Sequence, residues 1–161
     1  MKKILIPTDF TVESLQLIEY GILNYPNTKL DVVLVHGHRM PENKWGVINF
    51  SCKRQISNLT KENFIEAKNN FINEHKSEIN SIELDLFTGI NSVAFKNFCK
   101  QHQVEDAIIP KDQFLIFAHK NSFDPTFFMK RNIKNVVEVH LENPNREISR
   151  KKFSISNLLN L

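Results

Sequence analysis

Short runs of consecutive apolar residues alternate with longer amphipathic stretches along the first 141 positions of the chain. Lys3-Ile4-Leu5-Ile6, stopped by Pro7, reads as a strand with both faces buried, as do Val32 to His36 and Ala107-Ile108-Ile109, the last closed by Pro110. Ile82 to Phe87 alternates apolar and acidic residues as a third strand, and Val136 to Leu141 is the fifth, broken by Asn143-Pro144-Asn145.

The stretches between have helical spacing. Thr11 is a suitable N-cap for a helix carrying Leu15, Ile18 and Ile22 inward. After a polar loop from Gly37 to Phe50, one long helix is expected from about Ser51 to His75, with Phe64, Ala67, Phe71 and His75 as its inner stripe. Asn91 or Ser92 caps a helix with Ala94, Phe95, Phe98 and Cys99 inward, and Asp124-Pro125 opens a short one ending near Asn132. Apolar strands alternating with helices define an α/β class: a single doubly wound, Rossmann-like domain over 1–141, with a five-stranded parallel sheet and helices on both faces. Residues 142–161 form a basic, then apolar, C-terminal tail. Ligands of such sheets bind beyond the carboxyl ends of the strands. The segments to search are therefore Pro7–Thr11, His36–Met40, Thr88–Ile90 and Pro110–Asp124.

Charge narrows the partners. The chain has 21 Lys+Arg against 18 Asp+Glu, and Arg146, Arg150, Lys151 and Lys152 with Glu147 account for the whole excess of +3. The remainder is balanced, which argues against a broad face for nucleic acid. No apolar run is long enough to cross a bilayer, the start lacks the pattern of a secretory signal, and Cys52 and Cys99 make no metal or redox motif. A cytoplasmic protein that contacts neither membrane nor nucleic acid is expected.

Met1-Lys2-Lys3-Ile4-Leu5-Ile6-Pro7-Thr8-Asp9-Phe10-Thr11 resembles the opening of universal stress proteins, where the first strand ends in an Asp beside a helix-capping Ser or Thr. Val35-His36, Thr88-Gly89 and Val104 to Ile109 resemble that family as well, and the order of elements agrees over 1–141. The resemblance implies that Asp9, with Thr8 and Ser122, would contact a nucleotide if binding were retained. It also implies a homodimer made by antiparallel pairing of the last strands, here Val136, Val137, Val139 and Leu141.

Members that bind ATP carry G-x2-G-x9-G-[ST] after the fourth strand, where glycines let backbone N–H groups approach phosphates. Counted forward from Asp106, Lys111 and Phe114 stand at the first two glycine positions; counted back from the fifth strand, Ser122-Phe123 stands at the final pair, so the stretch is about two residues shorter than the pattern, and no glycine occurs after Gly89. Instead Phe114, Phe117, Phe123, Phe127 and Phe128 crowd the segment, either packing the last helix and closing the pocket or walling an open one.

Other residues weigh toward structure. Asp9 is expected to assist the helix start at Thr11, since Asx side chains bond nearby backbone groups. His36-Gly37-His38 is read as a loop following a strand; it lacks the spacing of a nucleotidyltransferase motif and the further ligands a metal needs. No Ser, Cys or Lys stands in a nucleophile signature, Cys99 is a core residue, and Lys111 is a solvated loop lysine. The expected protein is a universal-stress-protein-like regulatory or protein-interaction module without catalytic residues, metal or cofactor. The alternative is a small-ligand or nucleotide-binding module with a rebuilt, Phe-rich pocket.

Overall fold

The computed structural model describes residues 1–141; the tail read at 142–161 lies outside the described residues. Five parallel strands form the sheet: β1 (Lys2–Pro7), β2 (Leu30–His38), β3 (Ile79–Phe87), β4 (Asp106–Pro110) and, after a two-residue strand β5 (Ser122–Phe123), β6 (Asn135–Val139). Their order is β3-β2-β1-β4-β6. β5 pairs antiparallel with β2, Gly37 opposite Phe123 and His38 opposite Ser122. The sheet thus has six strands where five are expected from the sequence. Ser122-Phe123 is too short to show a period, and its pairing depends on a partner far away in the chain.

Both faces of the central strands are covered, which is why they read as unbroken apolar runs. Ile4, Ile6, Val32, Leu34 and Ile108 pack toward α1 (Gln16–Asn24) and α4 (Glu62–Glu74), with Phe64 and Phe71 buried beside them. Leu5, Val33, Val35, Ala107 and Ile109 pack toward α5 (Ser92–His102) and α6 (Thr126–Asn132). Cys99 lies in this second layer, and burial pushes its thiol up to about 11, so it is an inert core residue.

The cap expected at Asn91 holds, while α6 starts one residue later than expected, with Pro125 and not Asp124 at its N-cap position. Asn91 Oδ1 accepts the Ala94 N–H at 2.9 Å, and Asp124 Oδ1 accepts the Thr126 N–H at 2.9 Å as α6 begins. The long helix is corrected. Between the short α2 (Lys44–Ile48) and α4 stands α3 (Cys52–Leu59), separated from α4 by extended Thr60 and Lys61. The Thr60 hydroxyl bonds back to the Ile56 carbonyl at 2.8 Å, a local alternative to the helical ladder. Thr11 opens a 3-10 turn, Glu13–Leu15, before α1 begins.

Candidate functional site

The strand order reverses between β1 and β4, and there a cleft of about 520 Å³ opens at the carboxyl ends. Asp9 and Phe10 come from the end of β1, His36 from β2, Asn58 and Lys61 from the α3–α4 junction, and His119 and Ser122 from the chain after β4.

Asp9 does two things. Its Oδ1 accepts the Thr11 N–H at 3.0 Å and the Thr11 hydroxyl at 2.5 Å, the helix-start role expected of it. Its Oδ2 accepts the backbone N–H of Ile116 at 2.9 Å, across 107 positions of chain. The carboxylate is therefore occupied by the very segment that stands where the glycine-rich signature would be. Thr8 is sealed in the core: its hydroxyl bonds to Ser14 Oγ at 2.9 Å and accepts the Phe10 N–H at 3.0 Å. Sequence reasoning groups Thr8, Asp9 and Ser122, and the fold does bring them around one imidazole, but Thr8 presents no side chain to the cleft.

That imidazole is His36. Its Nδ1 lies 2.9 Å from the Thr8 carbonyl, which can only accept, so Nδ1 carries the proton. Nε2 therefore accepts from the Ser122 hydroxyl at 2.7 Å. Phe10 stacks on the ring at 4.4 Å and Phe117 tilts against it at 5.1 Å. Burial pushes the His36 pKa down to about 4, the largest effect on it. The pair has the connectivity of a nucleophile and its base, yet the orienting group is a neutral carbonyl and the base is weak. Its chemistry here is that of a tie holding β5 to the strand ends.

His36 and His38 both belong to β2, not to a loop, because pairing with β5 extends the strand. His38 is buried, stacks on Phe50 at 6.2 Å and faces His119 at 5.4 Å, and its Nδ1 has no partner among the described residues. His119 Nδ1 accepts the Asn121 N–H at 3.1 Å, so it cannot also offer that lone pair to a metal. No group of three or more His, Cys, Asp or Glu able to hold a metal occurs among the described residues.

The Phe-rich segment is divided between the layers. Phe114 is buried and Phe117 partly buried on the α4 side, while Phe123 and Phe128 pack on the α5 side and Phe127 is 60% exposed. Gly37 admits this segment: a Cβ there would meet the Phe123 carbonyl oxygen and stand 2.6 Å from its ring. Two features escaped the sequence reading. Phe10 sits at φ 60, a conformation a bulky residue adopts at a cost of roughly 1–2 kcal/mol. Ile116 contributes only an N–H, which carries no residue identity.

The fold and cleft define a class, a doubly wound α/β domain whose strand-end site is crossed by its own chain. No family model and no curated protein matches the sequence. Solved structures do match. Hypothetical protein MJ0577 is 17% identical over 88% of this chain and 97% of its own, with a TM-score of 0.56. Hypothetical protein PH0823 is 15% identical over 88% and 98%, with a TM-score of 0.50. A universal stress protein from Archaeoglobus fulgidus is 13% identical over 86% and 93%, with a TM-score of 0.49. At these identities the likeness to MJ0577 and PH0823 shows the doubly wound α/β fold alone. No helix among the described residues is long and apolar enough to cross a membrane.

Proposed function

We propose that this protein is a cytoplasmic, non-catalytic universal-stress-protein-like module that has lost nucleotide binding and acts in stress regulation through contact with other proteins. The observation that carries the reading is the bond from the Ile116 N–H to Asp9 Oδ2. The carboxylate that the resemblance would give to a nucleotide is occupied in place by a hydrogen bond from the chain's own backbone. Glycine-free and paired to β2 at Ser122-Phe123, this segment has no freedom to wrap phosphates as the signature does. β6 is an edge strand, paired only with β4 among the described strands, and is the surface for homodimer formation.

The test is thermal melting of ligand-stripped protein with and without excess Mg-ATP. A ligand at 100 times its dissociation constant adds about 2.7 kcal/mol, several degrees for a domain of this size. The melting temperature is expected to stay unchanged. A shift of several degrees would overturn the reading and favour the second one, a small-ligand site in the remaining cleft of about 520 Å³.

A further inference from the structure

At the opposite end of the sheet, the amino ends of β1 and β4 frame a hollow of about 540 Å³. Lys2, Lys3, Lys96 and Lys100 stand around it, with Cys99 and Val104 among its lining. Lys2 is neutralised by Asp106 at 3.2 Å, and Lys3 lies within electrostatic reach of Asp31. Lys96 and Lys100 form no ion pair among the described residues and are both exposed. They are four positions apart on α5, so they are neighbours on one helical face and repel each other. Lys100, in the last turn, offsets the helix dipole there; Lys96 is a full turn earlier and has no such explanation. Of the two carboxylates in the lining, Glu105 forms no ion pair among the described residues.

We propose that this hollow receives an extended, acidic segment of a protein partner, its carboxylates at alternate positions meeting Lys96 and Lys100. The spacing carries the argument. Four residues of α-helix rise about 6 Å, and alternate side chains of an extended strand repeat at about 6.6 Å on one side. Lysine ammoniums on flexible stems tolerate that small mismatch. The buried Cys99 and Val104 give the segment's intervening atoms an apolar floor. A nucleic-acid backbone would require a longer basic stripe, which the balanced charge of residues 1–145 does not supply. The inference rests on the reading of this protein as an interaction module and names the chemistry of its partner.

Fluorescence anisotropy with two labelled peptides of identical composition tests it, one with Glu at alternate positions and one with the same Glu residues contiguous. The alternating peptide is expected to bind saturably at one equivalent and more tightly than the contiguous one, with affinity falling as salt rises. The Lys96→Gln/Lys100→Gln variant, whose sites are exposed, is expected to lose about tenfold or more in affinity. Lys120→Gln, at the other end of the sheet, is expected to bind like the parent. Absence of binding, equal binding of both peptides, or binding indifferent to the lysine pair would overturn the proposal. So would inorganic pyrophosphate displacing the peptide at concentrations below the peptide's own dissociation constant, which would mark a phosphate site. A melting shift with Mg-ATP that persists in the double variant would instead overturn the reading of the cleft and leave this one intact.

Discussion

Asp9 and Ile116 lie 107 positions apart and are joined by a hydrogen bond of 2.9 Å from the Ile116 N–H to the Asp9 carboxylate. A charged acceptor on one side makes this one of the stronger single ties between the end of β1 and the segment after β4. The same carboxylate starts the turn at Thr11. Replacing Asp9 with Ala therefore removes a cap and a long-range anchor together. The expected loss is about 2–3 kcal/mol of stability, or several degrees of melting temperature. Asp9→Asn keeps an acceptor for Thr11 and should lose less. Urea unfolding of the two variants checks the order; equal, negligible losses would mean the tie contributes nothing.

Gly37 makes a second connection possible. Because a side chain there would collide with the Phe123 backbone as well as its ring, Gly37→Ala cannot be absorbed by a rotamer change. β5 must move, and about 1–3 kcal/mol of destabilisation is expected. With β5 displaced, limited chymotrypsin digestion should cut first in the segment holding Phe117 and Phe123. An unchanged digestion pattern would show that β5 does not depend on this contact.

These two contacts mark where the sequence stops being informative. The parallel strands were legible because burial on both faces writes an unbroken apolar run, as in Ile4 to Ile6 and Val32 to Val35. The cap at Asn91 and the turn bond at Asp124 were legible because each joins residues two or three positions apart. Asp9 could be read only halfway: its bond to Thr11 is local, whereas its bond to Ile116 goes to a backbone group that any residue supplies. The single helix from Ser51 to His75 failed for a related reason. Its apolar spacing continues through Leu59 and Phe64, but the backbone turns extended at Thr60, where a hydroxyl takes the Ile56 carbonyl. In the Phe-rich segment, composition could not distribute the rings. Phe114 and Phe123 enter opposite faces of the sheet because β5 crosses its end.

The proposed homodimer gives a third prediction. Of the residues assigned to the edge, Val139 and Leu141 are buried within the protomer, and Val136 and Val137 are half-buried. Pairing at β6 must then rely on backbone groups and the outer parts of Val136 and Val137, not on four free side chains. Sedimentation equilibrium is expected to give a dimer whose dissociation becomes measurable with Val136→Lys. A parent protein that sediments as a monomer at concentrations of order 100 μM would remove the edge pairing from the proposal.

The last prediction concerns acid. His36 is buried and neutral, its Nδ1 proton on the Thr8 carbonyl and its Nε2 occupied by Ser122, and its pKa stands at about 4 against an ordinary 6.5. The unfolded chain takes up a proton at the higher pH, so acid favours unfolding. The contribution is fully present above about pH 6.5, falls as pH drops from there toward 4, and is exhausted below. Burial also lowers the pKa of neighbouring His38, which acts in the same direction. A His36 pKa lowered from 6.5 to about 4 corresponds to about 3 kcal/mol, a loss of melting temperature of order 10 °C between pH 7 and pH 4. His36→Asn is expected to be less stable at pH 7 and to show a shallower decline over the same interval. Melting curves at half-unit steps in pH decide it: a parent slope matched by the variant's would mean that His36 takes up no proton on unfolding in this range, and the tie between the strand ends and Ser122 would have to be reassigned.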